Sequence, residues 1–100
     1  MRIKMGGATN IGKVRKNNQD YIYFDEDQGI VIVADGIGGR KAGAIASKMA
    51  VEGMQKAFVK SSYIHHEEIT PFILSAIEKV NNEIIIISKT QEDKAGMGTT

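Results

Sequence analysis

Apolar residues fall into short strand-like runs in the first third of the chain and into two long helical stripes after it. Ile30 to Ala34 is unbroken apolar and mostly β-branched, the pattern of a strand covered on both faces. Tyr21 to Phe24 reads as another strand, and the acidic turn Asp25 to Gly29 between them predicts an antiparallel hairpin with strands over about 20–26 and 29–35. Asp25 and Asp27 read as turn chemistry and solvation. Near the start, Ile3 and Met5 alternate with Arg2 and Lys4, which predicts a strand within about 2–9, punctuated by Gly6 and Gly7. Asn10 to Asp20 is too polar for a core element and reads as a loop.

The period then changes from two to about 3.6. A helix is predicted over about 41–59, with Lys41, Lys48, Glu52, Gln55 and Lys56 in one arc and Ile45, Met49, Val51, Met54 and Phe58 elsewhere. Ala42, Ala46, Ala50, Gly53 and Ala57 make a stripe of small residues, which lets this helix lie close against a sheet. The methionines read as core filling. A connector from Ser61 to Thr70 carries His65 and His66; adjacent histidines diverge, and with no third His or Cys nearby a zinc site is disfavoured. Thr70 is expected to cap a second helix over about 71–90, with Pro71 in its first turn. Ile73, Ile77, Val80, Ile84 and Ile87 recur at steps of four and three, and no breaker interrupts the strand-like run Ile84 to Ile87. Gly96 to Thr100 reads as the opening of one more strand, over about 97–100. That ending predicts a fragment, or a chain cut short. The fold class is α+β.

Composition narrows the function. With 42% hydrophobic and 25% charged residues the chain suits a small globular domain. A formal net charge of +1, without basic runs interleaved with aromatics, gives no support for nucleic-acid binding. The absence of cysteine excludes disulfides and thiolate metal sites and fits a reducing cytoplasm, where the chain is expected to reside. No signal-peptide core and no run of membrane-spanning length is present, so no membrane partner is expected.

The candidate chemistry lies around Asp35. Its carboxylate follows a buried strand directly, with Gly36, Gly38 and Gly39 at once behind it, so backbone can approach a ligand without Cβ atoms in the way. A carboxylate removed from water needs a cation or several donors. Two readings follow from this stretch alone: Asp35 caps the next helix, or it binds a hard divalent cation together with the Gly36 carbonyl. The hairpin favours the second. It brings Asp20, at the start of one strand, beside Asp35, at the end of the other, and two neighbouring carboxylates are stable around a cation or with one protonated.

Three motifs in this order, Arg15-Lys-Asn-Asn-Gln-Asp20, then Val33-Ala-Asp-Gly-Ile-Gly-Gly39 with Ala42-Gly43 and Ala46-Ser47, then Gly96-Met-Gly-Thr-Thr100, resemble the bacterial branch of the metal-dependent type 2C serine/threonine protein phosphatases. The resemblance covers essentially the whole chain and only the N-terminal part of that family's domain. It implies part of an α-β-β-α sandwich. It further implies that Asp35 bridges two Mg2+ or Mn2+ ions, that the Gly36 carbonyl binds one of them, that Asp20 serves the same centre and that Arg15 holds the substrate phosphate. The implied reaction is two-metal hydrolysis of phosphoserine or phosphothreonine in a phosphorylated protein substrate. Two cations about 3.5 to 4 Å apart acidify the attacking water and neutralise phosphoryl charge, and the Arg fork matches two phosphate oxygens.

The chain also departs from that pattern. Gln19 stands where many eukaryotic relatives have a glutamate, and Ile37 where they have a histidine proposed as general acid. Arg40 and Ala44 replace a His and a Glu frequent in bacterial members. The remaining metal aspartates of the family belong to motifs absent from these residues. Asp20, Asp35 and one carbonyl lack the charge to offset two divalent ions, so weak metal binding and negligible hydrolysis are expected of the chain alone. An unpaired sheet edge and exposed apolar surface are expected to invite self-association. The competing function is a catalytically dead module that binds a phosphoprotein or docks through its helical pair.

Overall fold

Asp20–Asp25 (β1) and Ile30–Ile37 (β2) pair antiparallel, and the ladder runs from Asp20 opposite Asp35 to Asp25 opposite Ile30. The structure is a computed structural model, and it describes residues 4, 6, 19–38, 42–60 and 66–100. The expected strand at 2–9, the loop that holds Arg15, the residues Arg40 and Lys41, and the connector around His65 lie wholly or largely outside the described residues. Gly29 closes the hairpin at φ 69°, a left-handed conformation that a β-branched residue would resist. Asp25 organises the turn. Its Oδ1 accepts the backbone N–H groups of Asp27 (3.0 Å) and Gln28 (3.2 Å), and its Oδ2 accepts Gln28 Nε2 (2.8 Å). This is the side-chain-to-backbone bonding for which Asp is favoured in turns.

Two residues near the C-terminus, Gly98–Thr99 (β3), pair antiparallel with Gly36 and Ile37 and complete a sheet of order β1-β2-β3. This pairing changes the expected end of β2. Asp35 does not follow the strand; it lies inside it, because β3 supplies partners that carry the extended backbone to Ile37.

The helices are Ala42–Lys60 (α1) and Ile69–Thr90 (α2), with 3-10 turns at His66–Glu68 and Glu92–Lys94. No helix among the described residues is long and apolar enough to cross a membrane. α1 covers one face of β1 and β2 and packs along its other side against α2. Ala42, Ala46, Val80, Ile84 and Met97 form a buried cluster, with Ile45, Met49, Ala50, Met54 and Ile87 around it. The small-residue stripe thus serves the helix pair as well as the sheet. A Cβ on Gly53 would stand 2.6 Å from Val80 Cγ2, so only glycine allows α2 this close. Phe58 and Phe72 close the far end of the pair, with ring centroids 5.3 Å apart.

Two further expectations are corrected. Thr70 does not cap α2. The helix begins at Ile69 with Glu68 at the N-cap and no side-chain cap bond, because the preceding 3-10 turn feeds directly into it; Pro71 stays in the first turn, where its missing N–H costs nothing. Nor is β2 covered on both faces. Ala34 and Gly36 are buried, whereas Val31, Val33 and Ile37 are 62%, 66% and 58% exposed. The described residues provide one helical layer, and it lies on one face. The β-branched residues of the other face stand open.

Candidate metal centre

Asp20 and Asp35 are opposite each other in the ladder, so their side chains project from the same face. Which kind of pair they form follows from β3. Asp35 N–H donates to Thr100 O (2.8 Å), and Asp35 O accepts Thr100 N–H (2.9 Å) and Thr99 Oγ1 (3.0 Å). Both backbone groups of Asp35 therefore point away from β1, and Asp20 and Asp35 form a non-hydrogen-bonded pair. Such pairs hold Cα atoms about 4.5 Å apart and bring side chains closest. The pair sits on the face that α1 leaves open, with Val33 and Ile37 flanking Asp35 along the strand and Ile22 flanking Asp20. Asp35 is exposed and Asp20 half-buried.

Gly36 is buried on the opposite face. Its N–H donates to Gln19 O at 3.0 Å, and a Cβ there would lie 1.9 Å from the Gly43 carbonyl oxygen in the first turn of α1. No other residue fits between this strand end and this helix start. The sequence-predicted residues Asp20, Asp35 and Gly36 are thus brought together at one rim of the sheet. Arg15 lies outside the described residues.

Two facing carboxylates beside a glycine backbone form a set of hard oxygen donors, which suits Mg2+ or Mn2+. The set is partial. Among the described residues, no group of three or more His, Cys, Asp or Glu side chains converges on one point. A cleft of about 370 Å³ between α1 and α2 is lined by Met49, Glu52, Lys56, Lys79, Val80 and Glu83 among others, which leaves it away from the aspartate pair and with charges of both signs.

Sequence reasoning missed how much Gln19 and Ser47 do here. Gln19 O accepts Ser47 Oγ (2.7 Å) as well as Gly36 N–H, and Gln19 Nε2 donates to Gly38 O (3.0 Å). The available signal was a lone serine among the small residues of α1, fully buried in the structure.

The chain is also similar to known proteins in sequence and in fold. The sequence profile of the family described as Protein phosphatase 2C matches residues 8–98. The serine/threonine phosphatase stp of Listeria monocytogenes is 41% identical over 96 residues, which cover 92% of this chain and 38% of that protein. The solved structure of the S. agalactiae serine/threonine phosphatase superposes with a TM-score of 0.81 at 38% identity, covering 93% of this chain and 39% of that one. The catalytic domain of the serine/threonine protein phosphatase PstP, solved in complex with 2 manganese ions, superposes with a TM-score of 0.76 at 27% identity, over 91% of this chain and 37% of that one. The chain therefore spans less than half the length of the relatives it matches. A profile match over nine-tenths of its residues, on a fold that superposes with solved members, shows that the chain belongs to the protein phosphatase 2C family.

Proposed function

We propose that the chain supplies the first part of the catalytic domain of a metal-dependent serine/threonine protein phosphatase. Asp20 and Asp35 share the charge of bound Mg2+ or Mn2+, and the Gly36 carbonyl adds a neutral oxygen. When bound, the ions acidify water and neutralise phosphoryl charge. The protein's own part is geometric. Cross-strand pairing fixes the separation of the two carboxylates, the Thr99 and Thr100 bonds fix the rotation of Asp35 about the strand, and the tight seat of Gly36 on Gly43 fixes the backbone beside it. Arg15, five residues before Asp20, is the proposed clamp for the phosphate of a phosphorylated protein.

The observation that carries this reading is the face-to-face placement of Asp20 and Asp35 in a family whose relative PstP is solved with 2 manganese ions. Two carboxylates and one carbonyl leave two divalent ions far from neutralised, so this chain alone binds metal weakly and turns over negligible p-nitrophenyl phosphate. Mn2+ titration of the 15N-labelled chain tests the site. Paramagnetic broadening is expected to centre on residues 20, 35 and 36 and to vanish in Asp35→Asn; broadening centred elsewhere would reject it. Robust Mn2+-dependent turnover by the chain would reject the expected inactivity.

A further inference from the structure

Gln19 joins three elements at the rim of the sheet. Its backbone carbonyl accepts two hydrogen bonds, from Gly36 N–H at 3.0 Å and from the buried Ser47 Oγ at 2.7 Å. Its side-chain amide donates to Gly38 O at 3.0 Å. A Cβ on Gly43 would come within 2.6 Å of Gln19 Oε1, so the carboxamide lies close against the first turn of α1. One residue thus ties the strand of Asp20 to the end of β2, to the turn after it and to α1.

These bonds complement those on the other side of β2. Thr99 and Thr100 hold Asp35 from the β3 side, while Gln19, just before β1, holds Gly36 and Gly38. Carboxylates on two strands can share one cation only if their separation is held within about 0.5 Å, and that requires neighbours which lock the backbone. We propose that Gln19 is a positioning residue for the metal site: its amide N–H and its carbonyl set the Asp35-to-Gly38 segment against Asp20. This rests on the metal reading above.

The chemistry makes the role specific to an amide. Gly38 O is an acceptor, and an ionised carboxylate in place of the Gln19 amide has no proton to donate. Glutamate at this position therefore breaks the tie to the turn. Were residue 19 instead a member of the metal shell, glutamate would add negative charge and tighten binding. The two roles predict opposite signs for one substitution.

The test is the same Mn2+ titration by paramagnetic broadening, which detects weak binding, run on the wild-type chain, Gln19→Glu, Gln19→Ala and Asp35→Asn, with urea unfolding of each without metal. Gln19→Glu and Gln19→Ala are both expected to weaken Mn2+ affinity about tenfold, the usual scale for partners that orient ligands, while broadening stays centred on residues 20, 35 and 36. Tighter binding by Gln19→Glu, or unchanged affinity in both variants, would overturn the positioning role while leaving the metal site standing. No broadening at residues 20 and 35 in the wild-type chain would remove the metal reading and this inference together. If both variants at position 19 unfold, the near-isosteric Ser47→Ala decides: it loosens the Gln19 carbonyl, so weaker Mn2+ binding by a folded protein supports the role and unchanged binding rejects it.

Discussion

Asp20 and Asp35 face each other across the β1–β2 ladder as a non-hydrogen-bonded pair, with both backbone groups of Asp35 bonded to Thr100 on the opposite side. Like charges placed directly opposite in a sheet oppose its pairing, by up to about 1 kcal/mol. The four pairs next along the ladder, from Tyr21 with Ala34 to Phe24 with Val31, are apolar or aromatic and favour it. On the proposed reading a cation at this rim would make the two carboxylates a ligand set.

The first prediction concerns the cation's dependence on Asp35. Without metal, Asp35→Asn is expected to shift stability by no more than about 1 kcal/mol, the scale of one cross-strand pair. With Mn2+ at tenfold its Kd the wild-type chain gains about 1.4 kcal/mol by linkage, and the variant gains nothing. Thermal unfolding with and without Mn2+ checks both parts. A Mn2+-dependent stabilisation that survives in Asp35→Asn would place the cation elsewhere.

The second prediction separates two glycines that look alike in sequence. A Cβ on Gly36 would meet backbone, the Gly43 carbonyl oxygen at 1.9 Å and Gln19 O at 2.9 Å, and neither strand nor helix can give way. A Cβ on Gly43 would meet the end of the Gln19 side chain at 2.6 Å, which can move. Gly36→Ala is expected to cost about 3 kcal/mol or more. Gly43→Ala should cost less than about 1 kcal/mol, because the gain in helix propensity offsets the displacement. Urea unfolding gives the ranking, and equal costs would contradict it.

Much of this arrangement was legible in the chain. The acidic turn between an aromatic run and a β-branched one gave the hairpin and with it the meeting of Asp20 and Asp35, since pairing direction alone decides which strand ends are neighbours. The Ile and Val spacing gave α2, including Ile84 to Ile87. What was not legible depended on contacts distant in sequence. β2 reads as covered on both faces because Val31 and Val33 are chosen for a cover that no described element provides. Its extension through Asp35 to Ile37 depends on β3, more than 60 residues away by the Thr99 to Asp35 bond. Thr70 carries a good capping side chain, yet the 3-10 turn before it moved the helix start beyond its reach. Gln19 looked only like a lost charge, since hydrogen bonds to Gly38 and Ser47 leave no periodic mark.

The hairpin turn sets a third prediction, for acid. Hydrogen bonds from the Gln28 side chain and backbone, with a smaller one from Asp27, hold the Asp25 carboxyl below its ordinary value of 3.8. A carboxyl that is more acidic in the folded chain favours folding above the unfolded value, and the contribution is lost as pH falls through the lower folded value. The turn is therefore expected to loosen only below about pH 3.8. The Gln28 side-chain amide, which donates to Asp25 Oδ2, reports it by NMR. In Asp25→Asn that side-chain shift should lose its acid transition, and a transition of the same size that persists there would assign it to another group.

The open face of the sheet yields the last prediction. Val31, Val33 and Ile37 project from β2 on the side away from α1, and Phe24 and Ile22 stand opposite Val31 and Val33 on β1. Val31, Val33, Ile22 and Phe24 make an apolar patch on this face, set apart from Ile37 by the aspartate pair, and an exposed patch of this kind drives association in concentrated solution. Replacing both Val31 and Val33 by Thr keeps the β-branch that suits an extended strand and removes much of the apolar surface. Each side chain is more than half exposed, so folded stability should change by less than about 0.5 kcal/mol per site. Sedimentation velocity over a concentration series is expected to show the wild-type chain self-associating and the double variant shifted towards monomer. Equal association of the two would mean that the chain meets itself through another surface, such as the outer edge of β1, and not through this face.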